Sequence, residues 1–457
     1  MVPSSGRHAR SPSWGIAAGA GVIALVLIAV ILLMSGEREQ PRGEAAVVPS
    51  SQEPPPSLDA PPAVKDWPRW GVTHTQYSAD NEDGQAEDSA RHLLSREPLI
   101  QNQHIMGWGA DNPEPSPGKY NLRTLNSRLK FMASSKSIPV ITLCCAPDWM
   151  KGGQPGRTDW AKNATVRPDR EHFDDYAKLA VKIAKQYPTV KHFMVWNELK
   201  GFWDDANNRW DAEAYTEMYN KVYDALKAYD PQIQVGGPYV SLGSTSRRAA
   251  DAELSGDWGS IDQRGLDAIS YWLSEKKGAD FIVVDAWSTS IENQATPDDF
   301  GAVRKFGAIT SWLKQKSGGL PVWWAEWYVE PENSGWNDAK RMAVQAAAMM
   351  EFASSGVDTA LYWNPQRKEG EECVGCLWEP GTGRELPMAG LISGFTKWFP
   401  NGTAVGPVGV SDPQVKVLAQ ERMIVMVNTT DAPLSATVDG KQVSLKPYEI
   451  QWSPRQP

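Results

Sequence analysis

Eight times between residues 69 and 363 a short apolar run gives way to a longer polar or amphipathic stretch, and this alternation constrains the fold more than any other feature of the chain. The runs 69–73, 104–108, 139–143, 192–197, 234–239, 281–287, 321–326 and 359–363 read as strands, and 122–135, 172–186, 212–229, 299–316 and 338–354 as helices. In the third of these helices Tyr215, Met218, Tyr219, Val222 and Leu226 recur at spacings of three and four, which makes one buried face. Strand followed by crossover helix is the grammar of a parallel sheet. Eight cycles over roughly 330 residues predict an α/β fold, a (β/α)8 TIM barrel with long loops, with a doubly wound open sheet as the alternative. Beyond Phe399 the texture changes to short runs at 415–419, 423–428, 436–438, 442–445 and 450–452, with Asp439-Gly440 as a hairpin turn. This predicts a barrel over 66–399 and a small β-sandwich over 400–457, packed on the barrel because so few residues make a poor core alone.

The amino-terminal part has a different texture. Residues 14–34 carry no formal charge, and 22–34 are almost purely aliphatic. At about 1.5 Å per residue such a helix spans roughly 30 Å, one hydrocarbon core. Arg7, His8 and Arg10 precede it, so the positive-inside rule places residues 1–13 in the cytoplasm and the rest of the chain outside. A cleaved signal peptide is the rival reading, but the run is long and no A-x-A site follows it directly. Residues 35–65 hold Pro41, Pro49, Pro54, Pro55, Pro56, Pro61 and Pro62 and no aromatic residue, the composition of a semi-extended tether. The expected localisation is the cell membrane, single-pass, with the folded domain extracellular.

Composition narrows the chemistry. The net charge of −9 offers no basic footprint for nucleic acid, and there is neither a GxxxxGK[ST] nor a GxGxxG behind a strand. Tryptophan is in excess, with 21 against 13 Tyr and 10 Phe. Indoles are amphipathic, and such a surplus suits a ligand with apolar C–H faces and a hydroxyl rim, as a sugar has.

In a barrel the chemistry gathers where strands end. The fourth predicted strand ends in Trp196-Asn197-Glu198 and the seventh in Trp324-Ala325-Glu326. Taken singly, either Glu is a solvated loop carboxylate. Each, however, ends an apolar, Trp-rich strand, and strands four and seven face each other across the mouth. Two carboxyl groups flanking one bond are the equipment of glycoside hydrolysis, one as proton donor and the other as nucleophile or base. Their mutual repulsion raises the pKa of one of them.

With these residues in place the chain resembles the retaining glycoside hydrolases of clan A, and within it family 39, the β-xylosidase and α-L-iduronidase family. The resemblance rests on Val195-Trp196-Asn197-Glu198, Gly201-Phe202-Trp203 and Trp324-Ala325-Glu326-Trp327, and extends over 66–457. It implies Glu198 as acid/base, Glu326 as nucleophile, and Asn197 on the sugar 2-hydroxyl. Two positions depart from the family pattern. Leu199 stands where the family usually has Pro, and Asp285-Ala286-Trp287 stands where it tends to have His-x-Tyr, whose Tyr supports the nucleophile.

Further candidates for sugar contact are His74 after strand one, Trp108 and Trp363 ending strands two and eight, Tyr239 ending strand five, and Trp287. For His74 a structural hydrogen bond is an equally good reading, and for Trp108, Trp363 and Tyr239 barrel-core packing is the plainer alternative. Trp149, Trp203 and Trp336 fall in loops and suit outer subsites. Among four cysteines, Cys373 and Cys376 suit a local disulfide outside a membrane. Cys144 and Cys145 are adjacent on a strand, and so are expected to point to opposite faces. No metal or cofactor is expected. The sequence therefore predicts an anchored extracellular glycosidase acting on an oligo- or polysaccharide, with an inactive surface lectin on the same barrel as the alternative.

Overall fold

A computed structural model describes residues 67–77, 84–363, 365–366 and 375–455. Among the described residues no helix is long and apolar enough to cross a membrane. The expected anchor at 14–34, with its flanking segments 1–13 and 35–65, lies outside them.

Eight parallel strands close into a barrel in sequence order: β1 (Trp70–Thr73), β2 (Ile100–His104), β3 (Ile138–Leu143), β4 (His192–Val195), β5 (Gln234–Ser241), β6 (Phe281–Trp287), β7 (Val322–Tyr328) and β8 (Thr359–Trp363), with β8 pairing back onto β1. The strands alternate with α1 (Gly84–Leu94), α2 (Arg123–Ser134), α3 (Phe173–Gln186), α4 (Ala212–Tyr229), α5 (Gln263–Glu275), α6 (Arg304–Lys316) and α7 (Asp338–Ser354), and α8 (Pro387–Trp398) follows β8. The closed order decides against the open sheet. Strand two departs from expectation: β2 spans Ile100–His104 instead of 104–108, so Trp108 lies four residues past its end.

Alternation along the strands sorts the side chains. Inward residues fill the amino-terminal end of the barrel with Ile100, Val140, Met194, Phe281, Val283, Trp323 and Leu361, closed by Trp67. Phe281 and Trp323 stack there at 4.0 Å, and Trp67 and Trp323 at 5.5 Å. This stack plugs the lower barrel, so the open part is the carboxyl end. Outward residues pack under the helices. Hydroxyls from those helices also fix the strand ends: Tyr215 of α4 donates to the Val195 carbonyl at 2.9 Å, and Tyr176 of α3 donates to that of Leu143.

The carboxyl-terminal residues form β9 (Val415–Ala419), β10 (Met423–Asn428), β11 (Leu434–Val438), β12 (Lys441–Leu445) and β13 (Ile450–Pro454). A three-stranded sheet, β9-β10-β13, faces the β11-β12 hairpin across a core of Val415, Ile424, Met426, Ala436, Val438 and Leu445. Positive φ at Asp439 and Gly440 makes the tight turn of that hairpin. The unit seats on α7 and α8, with Trp452 edge-on to Phe395 at 5.3 Å.

Candidate active site

After Val195 the chain turns sharply over the mouth. Trp196, Glu198 and Leu199 have φ of 70°, 51° and 51°. Non-glycine residues enter this left-handed region at a cost of about 1–2 kcal/mol each, so the surroundings must enforce it. They do so through the Trp196 indole, which donates to the Lys200 carbonyl at 2.7 Å and packs edge-on to Tyr176 and Phe202. The Lys200 amide donates to the Asn197 carbonyl at 3.0 Å. The turn tips Asn197 and Glu198 into the barrel, 1% and 4% exposed. It also explains Leu199, because a proline ring holds φ near −65° and cannot occupy a residue at 51°.

Glu326 arrives by another device. Strict alternation from Trp323 and Ala325, both inward, would point Glu326 outward. The register against β6 shifts after Trp324, so that Asp285 pairs with Glu326 and Trp287 with Tyr328. This bulge at Ala325 turns Glu326 into the mouth. Two phenols receive it there: Tyr239 donates to Oε1 at 2.5 Å and Tyr328 to Oε2. Trp287 stacks on the Tyr328 ring at 5.0 Å with the planes 14° apart. The hydroxyl that the family pattern places on strand six thus comes from β5 and β7, and Trp287 braces one of them.

A third carboxyl completes the group. On β6, inward parity runs through Phe281, Val283, Asp285 and Trp287, and Asp285 is fully buried. One oxygen from each of Glu198, Asp285 and Glu326 lies within 4.8 Å of the other two. The Lys200 ammonium sits directly on Glu198 Oε2. Burial works to raise all three acids, and their neighbours then separate them. For Glu198, the Lys200 ammonium is the chief neighbour that outweighs burial and holds its carboxyl below the usual value. For Glu326, burial and the Glu198 charge prevail over Lys200 and the two phenols, pushing it up to about 7. For Asp285, burial and the charge of Glu198 push it well above the carboxylate range.

The other candidates divide. His104, kept neutral because burial lowers it to about 3, reaches Asn197 Oδ1 at 3.4 Å, and Asn197 Nδ2 in turn reaches Glu198 Oε2 at 3.4 Å. Trp108 lies against His104 at 4.2 Å, and both are met edge-on by Trp363 at 6.3 Å. Asn197, Tyr239, Trp108, Trp287 and Trp363 are therefore brought together around the carboxyls. His74 is not. It continues the outward parity of Trp70 and Val72, bonds Gln101 at 2.8 Å and meets Phe131 of α2, so it lies between sheet and helix. Trp149 is tied to the Glu114 carbonyl at 2.8 Å, and Trp203 leans edge-on against Trp210.

Cys144 and Cys145 do not diverge to opposite faces, because a disulfide joins them to each other across a cis peptide bond. Cys376 is disulfide-bonded, and Cys373 lies outside the described residues. Sequence reasoning missed Lys200, which reads as an ordinary loop lysine. It noted Asp285 only as a departure, although the period of two from Phe281 places it inside the barrel.

The chain is similar to known proteins in sequence and in fold. A β-xylosidase from Geobacillus stearothermophilus is 25% identical over 189 residues, 37% of this chain and 32% of the relative, so the match spans about a third of that enzyme. Among solved structures, a family 39 enzyme from Xanthomonas axonopodis pv. citri superposes with a TM-score of 0.51 at 17% identity, covering 81% of this chain and 73% of that one. A family 39 β-xylosidase from Caulobacter crescentus gives 0.50 at 18% identity, covering 82% and 80%. Residues 111–363, which hold every strand from β3 to β8 and all three carboxyls, match glycosyl hydrolases family 39, and the chain belongs to that family.

Proposed function

We propose that this protein is a retaining glycoside hydrolase with β-xylosidase-like action, in which Glu326 is the nucleophile and Glu198 the acid/base. The observation that carries the reading is the approach of the two buried glutamates to within 4.8 Å at the ends of β4 and β7. So close an approach of oxygens from the two carboxyl groups favours the ~5–5.5 Å separation of retaining sites over the wider gap of inverting ones. In the first step Glu326 attacks the anomeric carbon while Glu198 gives its proton to the leaving oxygen, and a glycosyl ester forms. In the second, water loses a proton to Glu198 and displaces Glu326. Asn197, oriented by His104, takes the sugar 2-hydroxyl, and Trp108 and Trp363 offer aromatic faces to the ring. Two phenols on Glu326 spread its charge and fix its attack line.

The substrate is an oligo- or polysaccharide outside the cell. Residues 14–34 would hold the enzyme at the membrane by a single pass, with 35–65 as tether. This part rests on the sequence pattern.

The test is proton NMR of an aryl β-xyloside during cleavage. The first-formed sugar should keep the anomeric configuration of the substrate, and inverted sugar would overturn the double displacement. Glu326→Gln should abolish turnover while leaving sugar binding measurable by calorimetry. A lectin on this barrel would bind equally well before and after the substitution, with no turnover in either form.

A further inference from the structure

Asp285 has no place in the two-carboxyl reaction, yet it is the most deeply buried acid of the three. Glu198 and Ser241 are its polar neighbours, but neither of its oxygens receives a hydrogen bond of good geometry. A buried carboxylate without donors is among the costliest groups a fold can hold. Its neighbour Glu198 is in the opposite position, accepting from Lys200 and from the Asn197 amide. Two carboxyls this close resolve their repulsion by keeping one proton between them. The ammonium on Glu198 decides which of the two keeps the charge.

We propose that Asp285 is a third functional carboxyl of this site, a neutral carboxylic acid that donates its O–H to Glu198 and positions it for proton transfer. This rests on the glycosidase reading for its consequence, though not for its protonation. Asp285 is a positioning residue, and its own proton stays in place through both half-reactions. The groups facing the pair are Lys200 beside β4, His104 on β2, Tyr239 and Ser241 on β5, and Glu326 and Tyr328 on β7. Lys200 is the cation among them, and only Glu326 adds a second negative charge. A donor at Asp285 favours ionised Glu198, so it makes Glu198 the stronger acid toward a poorly activated leaving oxygen. It also prevents a third negative charge from forming beside the nucleophile.

The experiment compares Asp285→Asn with Asp285→Ala on the full chain, reading kcat/KM against pH and the infrared band of protonated carboxyl groups. In Asp285→Ala the Glu198 carboxylate loses its donor, so the acid limb moves to higher pH. Activity at pH 4.5 relative to the maximum should fall roughly tenfold, as expected for losing one hydrogen bond to a charged group. Asp285→Asn returns an N–H to the same place, and the limb should return most of the way toward wild type. At pH 8.5, where Glu326 is ionised, the wild-type protein should still show a protonated-carboxyl band that Asp285→Asn lacks. If Asp285→Asn loses activity as Asp285→Ala does, or if no such band is present, Asp285 works as a carboxylate and the proposal falls. An unmoved limb in both variants would reduce Asp285 to packing. The infrared arm needs no turnover, so it stands if Asp285→Ala fails to fold, and absence of glycosidase activity would sink the functional reading without touching it.

Discussion

Glu198 and Glu326 are the same side chain at similar burial, and what separates them is who stands beside each. Lys200 contacts Glu198, while Glu326 has only neutral phenols as donors. The charge therefore rests on Glu198 and the proton on Glu326, the reverse of what the first chemical step requires. The working form is then a minority arrangement of the singly protonated pair, and that pair is what a pH profile reads. It forms as the first proton leaves, at a pH below the ordinary glutamate value, and it vanishes as the second leaves near pH 7. Accordingly kcat/KM should peak on the acid side of neutrality and fall as pH rises through about 7. Lys200 lowers both acids, so Lys200→Met should carry both limbs to higher pH. A profile still flat at pH 9, or limbs that ignore Lys200→Met, would show that this electrostatic account is wrong.

At the scale of elements, two local devices aim the acids, and neither is a regular strand. The turn after β4 depends on a positive φ at residue 199, which yields a signed prediction. Leu199→Pro, although it restores the residue usual in the family, should remove nearly all turnover, because φ near −65° would swing Glu198 away from the mouth. Leu199→Gly should keep the turn and retain far more activity, since glycine enters this region without cost. Equal activity in the two would mean that the turn does not depend on this φ. The same devices mark the limit of what the sequence discloses. Seven of the eight barrel strands stand out as apolar runs, but β2 is Ile-Gln-Asn-Gln-His, buried on both faces through hydrogen bonds. Asn102 takes Thr142 and Gln101 takes Ser135, so a hydrophobicity pattern has nothing to detect there. Helix α1 is rich in polar residues, whereas α5 and α8 do carry apolar faces, Leu266, Ile269 and Trp272 in one and Met388, Leu391, Ile392 and Phe395 in the other, that the strand–helix alternation did not single out. The paired glutamates were legible because each closes a Trp-rich strand. Glu326 reached its place in spite of alternation, through a bulge that no local propensity announces. Lys200 and the bond between Cys144 and Cys145 depend on backbone turns, and adjacent cysteines on a regular strand would indeed diverge.

For the whole molecule, stability and catalysis are in opposition at the mouth of the barrel. The stack of Trp67, Phe281 and Trp323 below, and the sandwich that sets Trp452 against Phe395 and Phe399, bury aromatic surface far from the carboxyls. The carboxyls do the reverse. Glu326 has a folded pKa of about 7 against 4.5 for the free group. Below about pH 4.5 both folded and unfolded chains carry the proton, so the site costs nothing by ionisation. Between that value and about 7 only the unfolded chain releases it, and folding stability falls with rising pH. Above this window the cost is complete, on the order of a few kcal/mol. Glu326→Gln removes the ionisation and keeps an acceptor for one phenol, so it should be more stable than wild type at pH 8, by about 1–3 kcal/mol. Urea unfolding at pH 8 and again at pH 4 measures both ends, and the advantage should shrink toward zero at the lower pH. Equal stability at both values would mean that Glu326 enters the folded barrel already ionised, and the inverted protonation of the pair would have to be abandoned with it.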